Sequence, residues 1–500
     1  MALSIMDRMN LDAGAAYLAL QARDARFDGR LFVGVTSTGI YCRPICRVRI
    51  PRRENCRFFS TPAQAEAQSF RPCLKCRPEI APGPGLAWSV MDASCTLARQ
   101  AADWLDAQAA SGEATTLADL AARLGVSDRH LRRIFQAEHG VSPVQYLQTR
   151  RLLTAKQLLT DTRMPVAQVA LASGFSSLRR FNAAFSESYR MSPTRLRGDA
   201  PDDHAASPVE AITVSLGLRA PYDADRLTRF LAQRAVPGVE HVEGMRIRRS
   251  IRAGVITEAP GWIDVQFALA TSRVRLAFSP QWVGASTRVI AAVRRWLDLD
   301  STPQTIGEAL AALPGSEGMR LPGSIDAFEL AVRAVLGQQI TVAAARTLAR
   351  RVVERFGAPI TSPWPEVGRT FPAPALIADT PIAQIAELGI ISTRANAIVE
   401  IAKAWPELER RIADRESAEA LIEALCELPG IGLWTAHYVA MRAMSWPDAF
   451  PPNDVAVLKA MKQLFNTTSQ READAVAAAW RPWRAYAVPR LWDNLETSAS

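Results

Sequence analysis

No run of apolar residues in this 500-residue chain approaches the roughly 20 that a membrane-spanning helix needs. The opening stretch Met1 to Asn10 carries Asp7 and Arg8 but no basic segment leading into an apolar one. Neither a membrane partner nor a secretory signal is therefore expected. Cysteine is scarce and odd in number: Cys42, Cys46, Cys56, Cys73, Cys76, Cys95 and Cys426 make seven. An odd count with two tight pairs fits a reducing compartment and a metal better than a disulfide framework, so the expected location is the cytoplasm. Excess charge is also missing from most of the chain. The net charge is +9, yet residues 1–90 carry +6, residues 91–200 carry +4, and the last three hundred sum to −1. Phosphate neutralisation by bulk charge is expected only in the first two fifths.

What remains is the composition of an ordinary globular protein, 48% apolar and 22% charged, in a chain too long for one core. Pro82-Gly83-Pro84-Gly85 and the polar, Pro-bounded stretch from Asp199 to Pro208 read as linkers. They delimit blocks 1–85, 86–198 and 209–500. Within the last block, apolar alternation in Ile251-x-x-x-Val255-Ile256 and in Arg273-Val274-x-Leu276-x-Phe278 predicts antiparallel strands. Helical periodicity takes over from Ser286: Ile325, Phe328, Val332 and Leu336 share a stripe, and a further helix is expected over Val342 to Phe356. The block accordingly divides into 209–290 and 291–500.

In the first block, Cys42-x3-Cys46 and Cys73-x2-Cys76 form two close pairs separated by a loop, a spacing suited to one tetrahedral zinc held by four thiolates. By spacing alone, a structural knuckle or a redox pair is described as well. The frames Gly39-Ile40-Tyr41-Cys42-Arg43-Pro44-x-Cys46 and Phe70-Arg71-Pro72-Cys73-x-x-Cys76-Arg77-Pro78 add specificity. They resemble the N-terminal zinc domain of Ada-type DNA alkylation-repair proteins. The resemblance implies that Cys42 accepts a methyl group from a DNA methylphosphotriester while Cys46, Cys73 and Cys76 keep the metal. Turning the Cys42 thiolate into a thioether removes one negative charge near Arg43, Arg47 and Arg71, which should strengthen their hold on phosphate.

The middle block contains a repeat. Leu117-x-x-Leu120-Ala121-x-x-x-Gly125-Val126-Ser127 recurs 49 residues later as Val166-x-x-Val169-Ala170-x-x-x-Gly174-Phe175-Ser176. Each copy reads as a helix, a glycine turn and a Ser-capped second helix. The second helices carry Arg129, Arg132 and Arg133, then Arg179 and Arg180, opposite core faces of Leu131, Ile134 and Phe135, then Phe181 and Phe185. Arg190 stands where the first copy has Gly140, a site that would cost about 1 kcal/mol if it needs left-handed backbone. The pair resembles the DNA-binding domain of AraC-type transcription regulators; a helical bundle with arginines on its wet face is the alternative.

Two features stand out in the last block. Leu428-Pro429-Gly430-Ile431-Gly432-Leu433-Trp434 looks like a helix-hairpin-helix, in which Gly430 and Gly432 turn backbone N–H groups toward a DNA phosphate; such a turn also joins core helices. Asp454 follows Gly432 by 22 residues and opens another helix, where an N-cap is its ordinary role. Together they resemble the helix-hairpin-helix DNA glycosylases. More narrowly, Tyr222 to Trp492 resembles the AlkA-type 3-methyladenine glycosylases, through stretches such as Phe230-Leu231-x-x-Arg234-Ala235 and Arg333-Ala334-Val335-Leu336-Gly337-Gln338. That resemblance implies an aromatic base pocket of Trp434, Tyr438, Trp492 and Phe230. It makes Asp454 the carboxylate that faces the developing sugar cation and handles water, and Gln339 the wedge filling the gap left by a flipped base. Trp434 stands where strand-cutting relatives have a nucleophilic lysine, so monofunctional excision is implied. No cysteine follows Cys426, which leaves no iron–sulfur loop.

The fold class expected is therefore multidomain α+β and mostly helical: a small zinc-bound α/β domain, an all-α double helix-turn-helix, then an α+β layer followed by an all-α helix-hairpin-helix lobe. The function expected is alkylated-base excision combined with a methylation-driven transcriptional switch. One zinc is the sole cofactor expected, with no organic cofactor. Partners expected are damaged and promoter double-stranded DNA and RNA polymerase, met by a monomer beside the nucleoid. A Pro-Cys-His-Arg signature is absent, so O6-methylguanine transfer is not expected. The rival reading is a transcription regulator with a structural zinc and a catalytically silent DNA-binding lobe.

Overall fold

A computed structural model describes residues 12–83, 93–111, 116–198, 211–315, 317–413 and 417–498. Pro84 and Gly85 of the first expected linker, all of the second, and the Met1 to Asn10 stretch lie outside the described residues. The chain forms two compact units: Met1–Ala220 with Ala270–Ala291 and Leu299–Ser301, and Pro221–Leu269 with Ala292–Asp298 and Thr302–Ser500.

In the first unit, a four-stranded sheet is ordered Cys56–Phe59, Phe32–Val35, Ile40–Cys42, Arg71–Pro72. The first three strands pair antiparallel, and the last lies parallel to Ile40–Cys42, with Tyr41 opposite Pro72. This register brings the chain past Cys42 and into Cys73 on adjacent strand ends. Phe32, Tyr41, Phe59 and Phe70 fill the sheet's core. Gly34 is required there, because a Cβ would come within 2.8 Å of the Phe59 ring.

The repeat folds as two helix-turn-helix units: Leu117–Arg123 with Asp128–His139, and Val166–Ala172 with Leu178–Tyr189. The long helix Pro143–Asp161 connects them, opened by a Ser142–Gln145 capping box that satisfies its first N–H groups. Leu131, Ile134, Phe135, Phe181 and Phe185 are all buried, as their spacing predicts. One detail differs. Ser177, not Ser176, caps the second unit's helix, accepting from the Arg180 N–H. The turn there is one residue longer than in the first copy, where Ser127 accepts from His130. Arg190 does adopt left-handed backbone, φ 53°, matching Gly140 at φ 71°.

The connecting helix also carries polar side chains into the cysteine-bearing layer. Thr149 donates to Glu66 at 2.9 Å, and Tyr41 donates to the other oxygen of the same carboxyl at 3.0 Å. Lys156 bonds Glu79 at 2.5 Å and Arg77 bonds Asp161 at 2.6 Å. Burial pushes the Glu66 carboxyl up to about 7, against the pull of its two hydroxyl donors and Lys156. Strands Ile212–Gly217 and Arg273–Phe278 pair antiparallel in this unit, from Ile212 opposite Phe278 to Gly217 opposite Arg273.

The second unit begins with helix Ala224–Arg234, which carries Phe230 and Arg234, followed by an antiparallel meander, Glu240–Glu243, Arg246–Ile251 and Gly261–Ala268. The strand expected through Val255 and Ile256 ends at Ile251; the following residues turn, with Gly254 at φ 85°. A helical lobe follows, with Val342–Phe356 helical as expected and Phe328, Val332 and Leu336 on the buried face of Ala327–Leu336. Ile325 precedes that helix because Asp326 caps it, accepting from Phe328 and Glu329. Meander and lobe are locked by a buried charge network. Arg249 reaches Glu240 and Glu329, each at 2.7 Å, and Arg333 reaches the same two carboxylates at 3.1 and 2.7 Å. Each charge there has two opposite partners, the condition under which buried ions are tolerated. Among the described residues no helix is long and apolar enough to cross a membrane.

Candidate sulfur cluster and candidate excision site

Strand Ile40–Cys42, the turn after it and the end of Arg71–Pro72 bring Cys42, Cys46, Cys73 and Cys76 together, their Sγ atoms all within 4.8 Å of one another. A tetrahedron of sulfurs about 2.3 Å from one zinc has edges of about 3.8 Å, so the donor set and spacing fit zinc. Crowded thiols divide their protons unevenly: hydrogen bonds from Cys46 and Cys73 push Cys42 up, and those from Cys42 and Cys46 pull Cys73 down. Cys56 is buried in a separate core with Leu31 and Val33.

The three arginines expected at phosphate divide. Arg47 is exposed and Arg71 half-buried. Arg43 is only 4% exposed, and its guanidinium is closed on the Asp28 carboxylate and on the Cys76 carbonyl at 3.0 Å. Asp28 therefore occupies the donors that the expectation assigned to DNA, and Arg43 braces the cluster instead. Its backbone N–H also donates to Cys76 Sγ at 3.3 Å. On the helix-turn-helix units, Arg129, Arg132, Arg179 and Arg180 are exposed, with Arg132 paired to Asp128 at 2.9 Å.

In the second unit, the hairpin turn places Gly430 at φ 79°, where a Cβ would also come within 2.9 Å of Ala397. Gly432 is different: nothing lies within 4 Å of its missing Cβ, so it leaves open space rather than relieving a clash. Gly432 caps helix Leu433–Ala443 without any side-chain acceptor, which leaves the first-turn N–H groups to a ligand or solvent. Gln338, which the motif reading passed over as a contact, ties the neighbouring loop to this turn by donating to the Gly430 carbonyl and to Thr435. The next residue, Gln339, is exposed and held at φ 55°.

Asp454 is the N-cap of helix Val455–Phe465 and much more. One oxygen accepts from the Val457 N–H at 2.9 Å and from Trp492 Nε1 at 3.2 Å, while the other accepts from Trp434 Nε1 at 2.8 Å. It is 7% exposed. Two of the four aromatics expected around the base thus grip the carboxylate by their indole edges. Their faces meet the others: Trp434 stacks on Tyr438 with centroids 5.3 Å apart, Trp492 lies parallel to Phe230 at 6.3 Å, and Tyr438 is 6.4 Å from Trp492. Phe230 and Trp492 open onto a hollow of about 520 Å³, mouth included, whose walls include Arg234, Met319 and Pro322. The arrangement puts an anion at one end of an electron-rich aromatic cluster, suited to a cationic ring and a developing sugar cation. Arg234, 3.8 Å from the Phe230 centroid, and Arg442 were not singled out as site residues. Arg442 lies eight positions after Trp434 on the same helix face, the signal that could have found it.

Family models match the chain in series: the metal binding domain of Ada over residues 15–79, a helix-turn-helix domain over 120–199, the AlkA N-terminal domain over 213–326, and the HhH-GPD superfamily base excision DNA repair protein over 332–485. The chain is 36% identical over 513 residues, 98% of its own length and 97% of the relative's, to a probable bifunctional transcriptional activator/DNA repair enzyme AlkA of Mycobacterium tuberculosis. It is 34% identical to the DNA-3-methyladenine glycosylase 2 of Escherichia coli, over 56% of this chain and 96% of that one. It is 30% identical to the bifunctional transcriptional activator/DNA repair enzyme AdaA of Bacillus subtilis, over 36% of this chain and 80% of that one.

Proposed function

The chain belongs to the family of bifunctional transcriptional activator/DNA repair enzymes, and from that premise we propose that it both excises alkylated bases from DNA and senses alkylation through its sulfur cluster. The observation that carries the excision half is the Asp454 carboxylate held by Trp434 and Trp492 within the aromatic cluster. A purine methylated at N3 or N7 carries positive charge. Extruded from the duplex, it lies among the rings of Trp434, Tyr438, Trp492 and Phe230. Asp454 then opposes the positive charge that grows on the sugar and accepts a proton from the attacking water. The open space at Gly432 and the uncapped first turn of Leu433–Ala443 receive a DNA phosphate, and exposed Gln339 fills the gap in the stack. With Trp434 in place of a lysine, no Schiff base forms and the product is an abasic site.

The sensing half uses Cys42. Its sulfur forms a bond to the methyl carbon as the methyl–oxygen bond of a phosphotriester breaks, leaving a phosphodiester anion and a thioether. Zinc, when bound by Cys42, Cys46, Cys73 and Cys76, keeps the sulfurs ionised at neutral pH. Loss of one negative charge strengthens phosphate binding by Arg47 and Arg71, and the helix-turn-helix arginines read a promoter. Activation there engages RNA polymerase, in the cytoplasm beside the nucleoid, with the protein a monomer.

Alkylated duplex DNA tests the excision half. Incubation should release 3-methyladenine and leave alkali-labile sites without direct strand cleavage; no base release would select the silent-lobe reading. For the switch, promoter affinity should rise after exposure to phosphotriester DNA, and equal affinities would reject it.

A further inference from the structure

Helix Leu433–Ala443 carries Trp434, Tyr438 and Arg442 at intervals of four, so they line one face over about 12 Å. Asp454 is bound at the Trp434 end. Arg442 is at the other, 7% exposed, donating to the Pro322 carbonyl at 2.8 Å, the Gly323 carbonyl at 3.1 Å and the Tyr438 hydroxyl at 2.6 Å. Its partners among the described residues are these three oxygens, none of them a carboxylate. A buried guanidinium without an anion is costly and calls for an explanation. Its charge is directed at two rings of the base pocket, Phe230 at 5.2 Å and Tyr438 at 5.5 Å from its carbon. Tyr438 accepts from Arg442, and the described residues offer its own hydrogen no acceptor. Burial pushes the Tyr438 phenol up, yet Arg442 and then Arg234 more than offset this and bring it below its ordinary range, which makes the hydroxyl a stronger donor.

We propose that Arg442, acting through the Tyr438 hydroxyl, is the base-side positive pole of the excision site, stabilising the electron pair that arrives on the departing base while Asp454 stabilises the sugar. This rests on the excision reading above and adds a positioning residue and a donor to it. In the step itself, the bond from C1′ to the base nitrogen breaks and its pair stays on that nitrogen. The oxygen of one water bonds to C1′ and gives a proton to Asp454, which passes it on to solvent; a base that departs as an anion takes one proton from solvent, and a base that was cationic takes none. Tyr438 donates a hydrogen bond to the base and is not consumed. A base that is already cationic departs as a neutral molecule and draws little on that help. A neutral base departs as an anion and draws on it heavily.

The test compares two lesions on the full-length protein in single-turnover excision: 7-methylguanine, which is cationic, and hypoxanthine, which is neutral. Wild type should release both, the cationic base faster. Tyr438→Phe, which removes one oxygen and leaves the guanidinium's carbonyl contacts, should lower the hypoxanthine to 7-methylguanine rate ratio at least tenfold. Arg442→Gln should do the same, and Arg442→Lys should retain more of the ratio than the Gln variant. Parallel loss on both lesions, or an unchanged ratio in Tyr438→Phe, overturns the proposal while leaving the excision reading intact. Wild-type protein that releases only the cationic base overturns it as well, and release of neither base overturns both.

Discussion

The sulfur cluster and the carboxylate cage each keep an anionic group out of water, and they do so with opposite materials. The sulfurs come from strand ends and turns in a donor set that fits a metal, and Arg43, whose backbone N–H reaches Cys76 Sγ, has its guanidinium taken by Asp28. The Asp454 carboxylate comes from a helix N-cap and is balanced by neutral donors, two indole N–H groups and one backbone N–H. Neutral donors leave its full charge free to meet a cation, so on the proposed reading the group is regenerated after each event. A metal-held sulfur that gains a methyl group has no such return path. On that reading one polypeptide counts damage at one end and turns over at the other.

The contrast breaks most sharply at Asp454. Asparagine caps a helix as well as aspartate does, so Asp454→Asn should fold normally. Base release measured in single turnover should fall by at least about 100-fold, with DNA binding retained and methyl acceptance by Cys42 unchanged. Full activity in that variant would remove the carboxylate from the mechanism.

Removing the metal should sharpen the contrast from the other side. A structural zinc held by four cysteines contributes on the order of 10 kcal/mol to folding in small domains. Chelation should therefore lower the melting transition of the first unit and leave the second unit's transition and its base excision in place. Both transitions moving together would contradict separate scaffolds.

A smaller effect concerns Glu66, between Tyr41 and Thr149. Its carboxyl titrates at about 7 in the fold against 4.5 ordinarily, because burial disfavours the charge. The folded state keeps a proton that the unfolded chain has released, so stability is full below pH 4.5 and declines as pH rises to about 7. Glu66→Gln should flatten that slope and raise stability at pH 8 by at most about 3 kcal/mol, read from denaturant melts at several pH values. An unchanged slope would place the titration elsewhere. Smallest of all, Arg190→Gly should stabilise the second helix-turn-helix by about 1 kcal/mol, since the left-handed backbone there costs an arginine what it spares a glycine. A thermal melt shifted downward would argue against it.

Much of this was legible from local pattern. Cysteine spacing anticipated the cluster, the repeat anticipated two helix pairs, and Asp454 turned out to be both an ordinary N-cap and a neighbour of Trp434 and Trp492. Distant partners hid the rest. Arg43 looks like its neighbour Arg47 in the chain, and only Asp28, fifteen residues earlier, turns it inward. The one-residue difference between Ser176 and Ser177 depends on how the turn after Gly174 closes, which alignment of two motifs cannot register. Val255 and Ile256 satisfy an alternating pattern, yet the strand pairing runs out at Ile251 opposite Gly261. Arg442 shares a helix face with Trp434, but its Pro322 and Gly323 acceptors come from more than a hundred residues away, beyond any local pattern.

The most direct measurement is one incubation of the zinc-loaded protein with excess methylated duplex DNA, followed by mass analysis of both protein and released bases. The account predicts a single methyl group on the peptide containing Cys42, never more than one per chain, alongside free methylated purines that outnumber the protein. Unmodified Cys42, or bases released in no more than equal number to the protein, would contradict it.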